Sequence, residues 1–263
     1  AAPTKPSLAP PTMTDILRAF GRSLKSLTQR GVLWHLVWPT LVALVVWMGV
    51  AFAFWPGTVH GVMGWIVGLP WVGVWISSSD MGTAAVLVLV QILLALALVP
   101  LIYVTAALLV AAIGLPLLLE RVGRHDYADL ELRRGGSNLG SVWNACKAGL
   151  LFLVGFLLTL PFWLIPGVGL VVSVLLTARL NQRAFSYDAL MLHADREELA
   201  RIPKSQWRGT FGVGVGSALL AYIPVVNLFA PAFCGLAFAH FLLEALRRDR
   251  AEKGWAVVPA GTA

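Results

Sequence analysis

The 20 Lys and Arg residues of this chain fall into four polar segments, and none lies between Gly31 and Leu119. The N-terminal segment carries Lys5, Arg18, Arg22, Lys25 and Arg30, and the second carries Arg121, Arg124, Arg133, Arg134 and Lys147. The third carries Arg179, Arg183, Arg196, Arg201, Lys204 and Arg208, and the tail carries Arg247, Arg248, Arg250 and Lys253. Basic residues collect on the cytoplasmic side of a membrane because translocating them is unfavourable, so all four segments and both termini are read as cytoplasmic. The apolar stretches between them must then cross the bilayer or enter it and return.

Composition supports a membrane protein. The mean hydropathy is +0.79 and only 13% of residues are charged, far from the balance of a soluble domain. The net charge of +7 frames apolar segments instead of forming one polar stripe, so no nucleic-acid partner is expected. Cys146 and Cys234 read as small buried thiols without a disulfide framework. Residues 1–13, with Pro3, Pro6, Pro10 and Pro11, read as a disordered arm without a signal-peptide core. Residues 14–250 are expected to form one membrane domain, followed by a tail over 251–263.

The first expected span is 33–55, roughly 34 Å of helix against a hydrocarbon core of about 30 Å. Trp34, Trp38 and Trp55 mark its interfaces. The Gly- and Pro-rich stretch 56–82 is expected to be an outer interfacial loop. The second apolar run, 83–119, would reach roughly 55 Å as one helix. It must therefore tilt, kink at Pro100 or Pro116, or extend into a protein interior, and the excess points to an oligomer.

Two further apolar regions, 148–178 and 209–243, each begin and end at a basic segment and each breaks near its middle. The breaks read Ile165-Pro166-Gly167-Val168 and Ile223-Pro224-Val225-Val226-Asn227, a weak internal repeat of the helix–break–helix kind. The arm from Gly209 to Tyr222 reaches roughly 21 Å, short of a span, so re-entrant hairpins are favoured over a six-span arrangement. Irregular backbone at that depth must be buried in protein or face water, unless Pro166, Gly167 and Pro224 serve only to reverse the chain. The fold class expected is an all-α integral membrane protein with two long transmembrane helices and two re-entrant hairpins. Residues 181–208, between the hairpins, read as an amphipathic cytoplasmic helix or helix pair.

The sequence carries no recognised catalytic motif, metal-ligand spacing or phosphate loop, so no enzyme, metal or cofactor is expected. Gly135-Gly136-Ser137-Asn138 could form a backbone nest for an anion, or a turn whose Ser or Asn caps the next helix, and the cap is favoured. His240, inside an apolar run, reads as a hydrogen-bonded packing residue ahead of a proton relay. Gly212 and Gly216 form a GxxxG pair, read as packing between the hairpins. Since the apolar segments hold no Asp, Glu, Lys or Arg, a passive conduit or a membrane organiser fits better than ion-coupled transport.

The order of features resembles the CysZ-type sulfate permeases and the wider etoposide-induced membrane protein family. The resemblance rests on Gln29-Arg30-Gly31-Val32-Leu33-Trp34-His35-Leu36-Val37-Trp38-Pro39, on Arg133-Arg134-Gly135-Gly136-Ser137, on the two Ile-Pro tips and on Phe185-Ser186-Tyr187-Asp188. It implies hairpins that enter the membrane partway, assembly as a homo-oligomer in the bacterial inner membrane, and permeation of a small oxyanion such as sulfate. It also implies an anion site at the start of the first long helix. There, backbone amides and an Arg of a Gly-hydrophobe-Arg triplet would hold the ligand. The matching residues are Gly31, Val32 and Leu33, with Arg30 beside them, so the triplet's Arg is replaced by an uncharged residue. The alternative reading is a non-transporting organiser that binds membrane lipids or partner proteins.

Overall fold

A computed structural model describes residues 9–28, 30–223, 227 and 229–254. All regular structure among them is helical: α1 (Met13–Leu27), α2 (Arg30–Val67), α3 (Val72–Ser77), α4 (Asp80–Leu109), α5 (Leu115–Asp126), α6 (Asn138–Thr159), α7 (Val168–Leu190), α8 (Arg196–Ser205), α9 (Trp207–Leu220) and α10 (Ala230–Glu252). The all-helical membrane class expected from the sequence is found, and four of these elements are long and apolar enough to cross a bilayer. The contacts divide the chain into two compact units, Leu36–Ala112 and the remainder.

The Leu36–Ala112 unit holds most of α2 with α3 and α4. Both long helices leave most of their apolar side chains exposed, with Phe52 at 90% and Val45 at 69%. Surfaces of this kind are stable only against lipid or another protein. Polar ties among its described residues join the helices. Trp47 Nε1 donates to Thr105 Oγ1 at 2.9 Å, and Thr83 Oγ1 donates to the Ile76 carbonyl at 3.1 Å. Ser79 caps α4 by accepting from Gly82 N at 3.0 Å.

One expectation fails here. Residues 56–82 are not an interfacial loop: α2 continues through Pro56, Gly57, Gly61 and Gly64 to Val67, and α3 follows after a short turn. Pro and Gly are poor helix formers in water, but in an apolar medium every backbone group must bond within its own segment. Local propensity is then a weak guide. At 38 residues, α2 reaches roughly 57 Å, so it outruns the span drawn at 33–55. The run 83–119 breaks at a π-helical turn over Val110–Gly114, just before Pro116. Its end, α5, does extend into a protein interior, with Leu115, Leu118 and Leu119 buried.

The second unit is built around α10, whose stretch 232–243 is buried, with Leu236, Ala237, Phe238 and Leu242 fully enclosed and Leu246 beyond it. Packed on it are α1, α5, α7, α8 and α9. α1 is fixed by a capping box at Thr12 and Asp15, and it lays Ala19, Ser23, Ser26 and Leu27 on the core. α6 touches α7 but leaves Leu150, Leu153, Leu157 and Leu158 outward. It starts at Asn138, ahead of the hairpin bound of 148, and α7 runs beyond 178 to Leu190. Residues 181–190 therefore continue the hairpin helix and do not start a separate one.

The glycine pair also packs differently from expectation. A Cβ on Gly212 would meet Ile16, and one on Gly216 would meet Phe20, so the GxxxG face receives α1. Gly214 is the residue against the other hairpin, with the Ala178 carbonyl 2.6 Å from a built Cβ. Cys146 is exposed, contrary to expectation, because α6 is peripheral; Cys234, on α10, is buried.

Candidate anion site

α5 carries one buried and one polar face. Leu115 fits against Gly235 of α10, and Leu118, Leu119 and Val122 are buried beside it. This turns Glu120, Arg121 and Arg124 outward, and Arg124 Nη2 pairs with Glu120 Oε1 at 2.5 Å. Arg121 takes a different course. Its guanidinium lies against Gly31, at the N-terminal end of α2, where a built Cβ would fall 2.6 Å from Nη2 and 2.7 Å from Cζ. No acidic residue lies in the first turn of α2. The site therefore combines a helix N-terminus, whose first amides point away from the helix body, with a cation from a second helix.

One turn further along α5, a cleft of about 340 Å³ is lined by Arg22, Lys25, Ser26, His125, Asp126, Tyr127, His240 and Arg247. Its floor is a buried polar chain. Ser26 Oγ lies 3.0 Å from His240 Nε2, and Tyr127 donates to the His240 carbonyl at 3.0 Å. Arg22 donates to Tyr127 Oη at 3.3 Å and pairs with Glu244 at 2.9 Å. Arg247 pairs with Asp129 and sits 4.7 Å over the Tyr127 ring. Burial raises the Tyr127 phenol to about 12, so it stays a neutral donor. Glu244 and Asp129 pair with Arg22 and Arg247, so these two cations of the cleft are already compensated.

The sequence-derived site residues separate in space. The backbone of Arg30, Gly31, Val32 and Leu33 begins α2, while the side chains of Arg30, Val32 and Leu33 lie outside the described residues. At the first hairpin tip, Leu160–Leu164 forms a 3₁₀ turn, then Pro166 and Gly167 reverse the chain. Gly167 has φ +82, the left-handed region suited to glycine. At the second tip Asn227 N donates to the Ile223 carbonyl at 2.8 Å, and Pro224 lies outside the described residues. The two hairpins meet where Ser173 hydrogen-bonds Tyr222.

The Gly135-Gly136 nest is not available to an anion. Gly135 N and Gly136 N donate to the carbonyls of Ala194 and Met191, and Ser137 N donates to Tyr187 Oη at 3.1 Å. Ser137 caps α6 by accepting from Gly140 N, the capping role favoured from the sequence. The Ser137–Tyr187 bond joins the Arg133–Ser137 and Phe185–Asp188 segments directly, and Ser141 donates to Asp188 beside it. His240 is a hydrogen-bonded packing residue. No group of three or more His, Cys, Asp or Glu able to hold a metal occurs among the described residues.

Arg121 was not singled out from the sequence. Its one signal is that it is the first cation after the long uncharged run, on a helix whose neighbours Leu118, Leu119 and Val122 face inward.

In comparisons with known proteins, the family described as Sulfate transporter CysZ/Etoposide-induced protein 2.4 matches residues 19–231. No curated protein matches the chain.

Proposed function

Because this chain belongs to the Sulfate transporter CysZ/Etoposide-induced protein 2.4 family, we propose that it is a permease for a small oxyanion such as sulfate. Permeation needs no enzymatic step. The observation that carries this reading is the Arg121 guanidinium held against Gly31 at the start of α2. Amides at a helix N-terminus and a guanidinium are complementary to a tetrahedral oxyanion. In this reading Arg121 supplies the charge that Leu33 does not, with Arg30 as a nearby second cation.

The accompanying arrangement is a bacterial inner-membrane protein with cytoplasmic termini, two full spans and two hairpins that enter partway, assembled as a homo-oligomer. The 14-residue α9 supports the partial hairpin, since it reaches only roughly 21 Å. The outward apolar faces of α2, α4 and α6 support contacts with lipid or further copies.

Purified protein in liposomes should pass labelled sulfate faster than empty vesicles, and Arg121→Ala should slow it. A second reading, a non-transporting organiser of the same fold, is favoured by Leu33 standing where the triplet has Arg. Absence of flux across a panel of small anions would select it.

A further inference from the structure

At the base of the first hairpin, α6 and α7 leave a groove of about 190 Å³ lined by Ala148, Leu151, Phe152, Leu176, Arg179, Leu180 and Arg183. On α7 the lining positions are spaced by three and four, so they form one stripe along the helix. Arg183 and Arg179 stand toward the cytoplasmic end of that stripe, and Leu176 stands toward the tip. α6 runs the opposite way, so Ala148 faces the cationic end while Leu151 and Phe152 continue the apolar end. The groove is thus charged at one end and oily at the other.

Among the described residues, Arg179 and Arg183 meet no acidic partner. Arg179 Nη1 donates to Gln182 Oε1, a neutral acceptor, at 2.6 Å. The bond at Arg183 is made by its carbonyl, which accepts from Asn144 Nδ2 at 2.8 Å. By contrast Arg22, Arg133, Arg201, Arg247 and Arg250 each meet a carboxylate. The nearby acid on α7, Asp188, is engaged by Ser141. Lys147 adds a third cation next to Ala148, its ammonium 5.0 Å over the exposed Trp143 ring. A Trp beside a Lys is the usual marker of headgroup depth at a bilayer surface.

We infer that this groove binds an anionic phospholipid of the cytoplasmic leaflet, with the headgroup phosphate between Arg179 and Arg183 and an acyl chain along Leu176, Leu151 and Phe152. The inference requires that the chain lie in a membrane, and it is independent of sulfate permeation. The apolar walls distinguish the ligand from free phosphate, which has no use for them. The uncompensated cations distinguish it from a zwitterionic lipid, since each basic residue near a membrane surface adds to the attraction for net negative headgroups.

The test uses the full-length protein in detergent and native mass spectrometry with phosphatidylglycerol, phosphatidylcholine or inorganic phosphate. Phosphatidylglycerol should remain bound at least about tenfold better than phosphatidylcholine, and Arg179→Gln/Arg183→Gln should remove about that factor. The control Arg196→Gln/Lys204→Gln, which also removes two charges, should leave retention unchanged. Equal retention of both lipids, equal loss in the control, or phosphate binding as tightly as the lipid would overturn the inference. A photoactivatable phosphatidylglycerol on the wild type decides the matter without any variant. Crosslinks should map to Leu151, Phe152 or Leu176, and crosslinks confined to other helices would refute the site.

Discussion

The guanidinium of Arg121 fills the space that a side chain on Gly31 would occupy, within 2.6–2.7 Å of a built Cβ. A methyl at Gly31 therefore has to push the cation away from the α2 N-terminus. If that cation holds an oxyanion, Gly31→Ala and Arg121→Ala should each weaken sulfate binding. A charge-assisted bond is worth roughly 1.5–3 kcal/mol, or about one to two orders of magnitude in affinity. The double variant should lose little more than either single one, because both remove the same contact. Calorimetric titration reads all three, and additive losses would rule out the shared contact.

Arg30 and Leu33 provide a separate test of the same helix end. Arg30→Ala should lower sulfate affinity, and Leu33→Arg, which restores the family triplet, should raise it. If Arg30 served topology alone, its loss would leave affinity unchanged and lower only correct insertion. Binding that appears only in Leu33→Arg would mean that the wild type keeps the fold without the sulfate site.

The pair Glu198–Arg250 is enclosed, with side-chain exposures of 3% and 5%. Arg250 reaches both carboxylate oxygens, at 3.1 and 2.9 Å, and donates to the His193 carbonyl at 2.6 Å. Arg133 Nη1 also lies 3.5 Å from Glu198 Oε1. Losing Arg250 thus leaves this buried carboxylate only partly paired, at a cost below the roughly 3–5 kcal/mol of a fully stranded charge. Arg250→Met should therefore lower the melting temperature, and Glu198→Gln/Arg250→Met should restore part of it. A double variant no better than the single one would show that the pair is not coupled.

Gly214 and Gly212 should respond unequally to alanine. At Gly214 the obstacle is the Ala178 carbonyl, which cannot move without shifting α7. At Gly212 it is the tip of the Ile16 side chain, which can rotate. Overpacking against backbone costs about 1–3 kcal/mol, so Gly214→Ala should lower the melting temperature clearly more than Gly212→Ala. The reverse order would contradict the helix contacts described above.

His193 is buried, and burial, helped by the Arg250 charge, lowers its imidazole from the usual 6.5 to about 4. The folded protein thus resists protonation that the unfolded chain accepts. Stability should be complete above about pH 6.5, decline as pH falls toward about 4, and lose nothing more from this group below that. Melting temperature against pH should show this slope, and His193→Gln should reduce it, the remainder including a share from buried His240. An unchanged slope in the variant would assign the effect to other groups.

The membrane class and the helical content follow from the sequence alone. Charge exclusion from an apolar medium is a local, one-dimensional constraint, so the distribution of Lys and Arg reports it directly. The caps at Thr12, Ser137 and Asp195 are equally local, since each side chain bonds an amide within three residues. The passage of α2 through Pro56 was hidden because propensities learned in water fail where each backbone group must bond within its own helix. Arg121 at Gly31, α1 on the Gly212–Gly216 face, and the cation-capped groove between α6 and α7 join residues far apart in sequence. Such contacts depend on helix rotation and register, which side-chain packing sets in three dimensions. A periodic pattern shows that a helix has an inward face, but only the packed structure decides which neighbour that face meets.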